Sequence, residues 1–301
     1  MSRAAATTGL LDPAVLARIG DLSLIARTVV DGFMHGLHRA PRLGHSTEFA
    51  EHRPYQPGDD LRRLDWRVFG RTDRFYIKEY EADTNLSLLL ALDISKSMDF
   101  GSGAVTKFQY ARMLAAALAW FSQRQGDRIG LILYADTVKL YIPPSTRHLS
   151  LILHELERAR PEGQGGGTEA RDSITELLGR TGITTFISDW YATPEFVRQA
   201  LGQVRVRGHD VIAFHVIDPA ERSLPYDQPA AFEDLETGER ISVVPDTLRA
   251  KYQAAISEHY EQLATELSRV GVDYHQLDSS APLDFALFQY LQRREALQRV
   301  R

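Results

Sequence analysis

From Asn85 onward the chain alternates short, almost unbroken apolar runs with longer amphipathic stretches, and this constrains the fold more than any other feature. The run "LSLLLALD" (86–93) is followed by the helical pattern "KFQYARMLAAALAWFSQRQGD" (107–127). "RIGLILYAD" (128–136) and the shorter "VKLYIPPS" come next, then the helix "HLSLILHELERAR" and a glycine cluster, "GQGGGTEA". A helix in "EARDSITELLGR", a strand in "GITTFISDW" (182–190), a helix in "PEFVRQALGQVRVRG" and a strand in "HDVIAFHVID" (209–218) complete the alternation. Strands without a polar face are covered on both sides. Strands that alternate with helices of 10–15 residues are joined by right-handed crossovers. The pattern predicts an α/β fold: a doubly wound, mainly parallel sheet with helices on both faces.

Around this region the spacing predicts a helix over 12–38 and a half-exposed strand in "DRFYIKEYEAD". It also predicts a small β-hairpin insertion near 219–245 that turns at Thr237-Gly238, a helix over 246–270, a strand in "VDYHQLD" and a last helix over 283–298. The expected organisation is an N-terminal helix and loop-rich segment, 1–84, packed on a main domain of 85–301.

The 301 residues contain no cysteine. Thiolate metal sites, disulfides and cysteine nucleophiles are excluded, so any metal must take oxygen or imidazole ligands. A net charge of −5 from 35 basic and 40 acidic residues argues against a chain built to coat nucleic acid. No apolar run approaches the roughly 20 residues of a spanning helix, and the N-terminus is a poor signal peptide. The expectation is a cytoplasmic protein with no membrane insertion.

Three loops then stand out. "DISKS" places Asp93, Ser95 and Ser97 at alternate positions just where the first buried strand ends. Thr168 follows three glycines, and Asp189 ends the strand "ITTFISD". In a doubly wound sheet these two strands are neighbours at the switch point, where ligands bind beyond the carboxyl ends. Caps and polar turns account for each loop taken singly. Five oxygen side chains on three converging loops suit a hard divalent cation, which takes about six oxygens. Largely neutral hydroxyl ligands would leave such an ion ready to accept an outside carboxylate.

"DISKS", "GGGT" and "ISDW" together resemble the metal-ion-dependent adhesion site of von Willebrand factor A domains. The resemblance implies Mg²⁺ (or Mn²⁺) bound directly by Ser95, Ser97 and Thr168, with Asp93 and Asp189 supporting through water. It also implies a protein ligand that supplies an Asp or Glu to the metal. Upstream, "EFAEHRPYQPGDDLRRLDWRVFGRTDRFYIKEYEAD" (48–83) is similar to the signature of a bacterial family termed domain of unknown function fifty-eight. The matching positions are Arg53, Tyr55, Pro57, Gly58, Asp59, Asp60, Arg62, Asp65, Trp66, Arg71 and Lys78-Glu79. That likeness implies a MoxR-type AAA+ ATPase as partner. Lys96 and Trp190, beside the site residues, are expected on its rim, where they would shape partner selection.

Other chemistries fit less well. No Walker loop, no G-x-G-x-x-G and no G-x-S-x-G is present. His45, Glu48 and His52 would share one face of a helix, a weak zinc reading in a Pro/Gly-punctuated stretch. The acids Asp59, Asp60 and Asp65 fit internal ion pairs better than an acid–base dyad. A Mg²⁺-dependent hydrolase or phosphatase using the same pocket is the alternative to an interaction module. It would need a general base, and the three loops carry no histidine.

Overall fold

The computed structural model describes residues 11–39, 52–54, 76–78, 86–165, 167–179 and 181–300. The chain divides into two units, one of Met1–Met34 with Leu86–Arg301 and one of His35–Asn85. In chain order the elements are α1 (Pro13–Leu16), α2 (Leu22–Arg39), β1 (His52–Pro54), β2 (Tyr76–Lys78), β3 (Ser87–Asp93) and a 3₁₀ turn at Lys96–Asp99. They continue with α3 (Lys107–Arg124), β4 (Arg128–Tyr134), β5 (Val138–Ser145), α4 (Leu149–Arg158), α5 (Thr168–Leu177) and β6 (Ile183–Ser188). Next come α6 (Pro194–Val206), β7 (Asp210–Ile217), α7 (Pro219–Ser223), β8 (Ala230–Glu233) and β9 (Arg240–Val243). The chain closes with α8 (Pro245–Arg269), β10 (Asp273–Asp278) and α9 (Asp284–Val300).

Six strands form the main sheet in the order β10-β7-β6-β3-β4-β5. All neighbours are parallel except the edge pair β4–β5. From β3 the chain winds outward one way through β4, then returns to β6 and winds the other way, so β3 and β6 flank the switch point. This is the doubly wound arrangement that the alternating pattern predicts. β5 is antiparallel, and it carries Pro143 and Pro144 at the sheet edge, where a missing N–H breaks no ladder.

The sheet is buried on both faces. Leu89 and Ala91 of β3 share a core cluster with Ile174, Val197, Leu201, Leu263 and Leu267 from α5, α6 and α8. Leu88, Leu90 and Leu92 alternate onto the face toward α3. Each such side chain contributes roughly 1.5–3 kcal/mol by leaving water.

The expected helix over 12–38 is two helices. The first ends at Leu16 and a turn follows, Gly20 with φ +76° redirects the chain, and the Asp21 carboxylate accepts from Leu24 N at 2.9 Å to start the second. The first unit takes in α2 as far as Met34, whereas the sequence pattern groups 1–84 together. The reason is apolar burial: Val29 and Val30 are fully enclosed, and Phe33 packs edge-on against Phe121 of α3. In the second unit β1 and β2 pair antiparallel, with Arg53 opposite Ile77. His52 is therefore extended, so it cannot complete the helical zinc face. His45, Glu48, Asp59, Asp60, Asp65 and most of the 48–83 signature lie outside the described residues. Among the described residues no helix is long and apolar enough to cross a membrane.

Entry into β6 depends on Gly182. A Cβ there would lie 2.3 Å from the Ser87 carbonyl oxygen at the start of β3. Gly182→Ala is expected to lower stability by about 2–3 kcal/mol. Gly179→Ala, with open space at its Cβ, should change little. Thermal unfolding of the two variants checks this, and equal melting temperatures would show that the β3–β6 entrance yields.

Candidate functional site

The carboxyl ends of β3 and β6 place their acids side by side. Asp93 closes β3 and Asp189 follows β6, both almost completely buried. Asp93 Oδ1 accepts from Ser95 N at 2.8 Å, which tucks the loop back over the strand end. Its Oδ2 accepts from Ser188 Oγ at 2.6 Å, a bond across the β3–β6 seam. Ser95 and Ser97 Oγ lie 3.0 Å apart. Burial and the neighbouring Asp189 charge push the Asp93 carboxyl up to about 6, against the hydrogen bonds from Ser188 and Ser95.

On the other side of Asp189 stands Lys107, the first residue of α3 and fully buried. Its ammonium donates to Asp189 Oδ2 at 2.8 Å and to Glu221 Oε1 of α7 at 2.6 Å. Burial alone would lower the Lys107 pKa. The two carboxylates outweigh it and hold the group above its ordinary value. Burial also raises Glu221, with Lys107 opposing. The local helix start is built for this: Thr106 and Gln109 form a capping box, so Lys107 leaves a fixed N-terminus directed at Asp189.

A cavity of about 270 Å³ opens here, with Asp93, Ser97 and Asp189 among its lining residues. Tyr134, Phe186, Trp190 and Val197 form part of its apolar wall, and Gly165, Gly167 and Glu236 also line it. Asp93, Ser95, Ser97 and Asp189 thus meet. Thr168 opens α5 one residue beyond Gly167, but it is exposed and does not line the cavity. Lys96 is exposed beside the site, with its N–H donating to Gly163 O at 3.2 Å.

Trp190 is not a rim residue. It is 8% exposed, its indole Nε1 donates to Phe214 O at 3.2 Å, and its ring packs against Phe186. A left-handed backbone, φ 51°, turns this large apolar ring inward, where burial favours it. Tyr191, 50% exposed, takes the surface position, its ring 4.7 Å from Lys107 Nζ.

The donor set suits a hard divalent cation. Two desolvated carboxylates and two adjacent hydroxyls converge, and about 3 Å is also the edge of an octahedron with bonds of roughly 2.0–2.1 Å. Among the described residues no group of three or more His, Asp or Glu is arranged to hold a metal. The acids at the strand ends themselves are a pair, Asp93 and Asp189, and Asp189 already shares its charge with Lys107. Lys107, Ser188, Glu221 and Glu236 carry no motif in the sequence. A lysine just inside an otherwise apolar helix is the one trace that Lys107 leaves.

A model of a protein family described as "Protein of unknown function DUF58" matches residues 51–262. The uncharacterized protein Rv1480 of Mycobacterium tuberculosis is 30% identical over 295 residues, which covers 95% of this chain and 92% of that protein. Among solved structures, BatB from Bacteroides thetaiotaomicron is 19% identical with a TM-score of 0.47, over 69% of this chain and 98% of the other. An aerotolerance-related membrane protein from Bacteroides fragilis is 20% identical with a TM-score of 0.49, over 69% and 99%.

Proposed function

The chain belongs to the DUF58 family of proteins of unknown function, and on that premise we propose that it is a divalent-metal-dependent protein–protein interaction module. The reading includes a MoxR-type AAA+ ATPase as working partner, in the maturation or assembly of other proteins, and a binding role in place of a catalytic one. The observation that supports it is the meeting of Asp93, Ser97 and Asp189 around one cavity at the switch point, with the Ser95 hydroxyl 3.0 Å from that of Ser97. In this reading Ser95 and Ser97 hold Mg²⁺ (or Mn²⁺) directly, Thr168 adds a hydroxyl from the first turn of α5, and Asp93 and Asp189 support from behind. Bound metal supplies a hard positive charge that an Asp or Glu of the partner completes.

The chain's own residues prepare that surface. Asp93 orients the Ser95 backbone, and Ser188 fixes the remaining Asp93 oxygen. Lys107 anchors Asp189 so that it cannot swing out to meet the ion alone.

Capture from a lysate of the source organism tests this, with wild type and Asp93→Ala each in Mg²⁺ or EDTA, followed by mass spectrometry. The ATPase, or a client with it, is expected only with wild type in Mg²⁺. Equal capture in all four conditions would sink the metal-bridged reading.

A further inference from the structure

The strands β8 and β9 form an exposed hairpin whose turn reaches back to the site. Asp234 Oδ1 accepts from Glu236 N at 2.8 Å and from Thr237 N at 3.2 Å, and Gly238, φ +74°, completes the turn. The turn brings the Glu236 side chain to the glycine loop. Glu236 Oε1 accepts from Gly165 N at 3.0 Å, on the glycine loop beside Ser95. A methyl group built on Gly165 would lie 3.2 Å from Ser95 Oγ and 3.3 Å from Glu236 Oε1, so both oxygens border the same small volume. Glu236 lines the cavity with Asp93, Ser97 and Asp189. Its neighbours Leu235 and Thr237 are exposed, and Glu236 is half-buried.

A surface glutamate gains little by leaving water for a single backbone N–H. That bond is a weak reason to bring the side chain in, yet its Oε1 borders the same volume as Ser95 Oγ. We propose that Glu236 is a resident carboxylate ligand of this site, occupying the position that a partner's acid takes on binding. The inference rests on the metal reading above. A partner then binds by exchange: its carboxylate replaces Glu236, and the hairpin lifts. Lifting breaks few contacts, because the β9 side chains from Arg240 to Ser242 are exposed and the turn meets the glycine loop through Gly165 N and the longer Gln164 Nε2 to Glu236 O contact of 3.5 Å.

The test uses Mn²⁺ alone, with calorimetric titration and water-proton relaxation of the full chain as wild type, Glu236→Gln and Ser95→Ala. Wild type is expected to bind, and Ser95→Ala to lose binding. Glu236→Gln should bind at least about tenfold more weakly, since groups that only support the ligands of a metal site are already worth about that much. It should also show higher relaxivity per bound ion, because water enters the freed position, and added acetate should reverse that gain. Acetate should leave wild type unchanged. Wild-type affinity and relaxivity in Glu236→Gln, with binding still lost in Ser95→Ala, would overturn the role of Glu236 and leave the metal reading standing. No Mn²⁺ binding by wild type, or unchanged binding in Ser95→Ala, would overturn both.

Discussion

Lys107→Met is expected to destabilise the folded chain by about 3–5 kcal/mol, the range for removing one partner of a buried ion pair. Lys107 is fully buried between Asp189 and Glu221, at 2.8 and 2.6 Å. Methionine fills similar volume, so the loss is charge and hydrogen bonding more than packing. Two desolvated carboxylates would then face one another with nothing between them. Thermal unfolding should show a fall of roughly 10 °C for a domain of this size. The deficit should shrink as pH is lowered toward 5, because burial raises the Glu221 carboxyl and its protonation removes one of the two facing charges. The double variant Lys107→Met/Glu221→Gln should recover part of it. If the site takes a divalent cation, Mg²⁺ should raise the melting temperature of Lys107→Met more than that of wild type. A melting temperature within 2 °C of wild type at pH 7.5 would mean that the triad is worth no more than a surface pair.

The second large effect has the opposite sign. Asp93→Asn should stabilise the protein in EDTA while it weakens Mn²⁺ binding by two orders of magnitude or more. Burial and Asp189 raise the Asp93 carboxyl from 3.8 to about 6. A raised carboxylate costs nothing below its unfolded value, where it is protonated in both states. The cost grows as pH rises through the interval and is complete above about 6. Two pKa units correspond to roughly 3 kcal/mol, and the weakened bond from Ser188 offsets about 1 of that. The expected gain is therefore about 1–2 kcal/mol at pH 7.5 and close to zero at pH 4. Denaturant unfolding at both pH values checks it. A variant less stable than wild type at pH 7.5 would show that Asp93 is a net structural asset, contrary to an acid held ready for a cation.

Most of the main sheet was legible in the residues. Runs such as "LSLLLALD" and "GITTFISD" carry no polar face, and only a strand covered on both sides tolerates that. Their alternation with helices then leaves few topologies. The strand ends identified Asp93 and Asp189 for the same reason: in such a sheet the acid that closes a buried run sits at the carboxyl edge. The break at Gly20 was less visible, because apolar spacing continues across it. Only the backbone angle reveals that the helix stops and restarts.

What sequence alone determined is therefore the one-dimensional part: which segments must be buried, in what order they wind, and which oxygens end β3 and β6. That information is local, set by periodicities of two and about 3.6 residues. What only the tertiary structure decided is which distant groups share a volume. Lys107 and Glu221 are 114 positions apart, Asp93 and Ser188 are 95 apart, and Gly165 and Glu236 are 71 apart. No periodicity links such pairs, because they meet through the winding of the sheet and the fold of the hairpin. Trp190 makes the same point inversely: its place after Asp189 suggested a rim, but desolvation of a large ring drew it into the core.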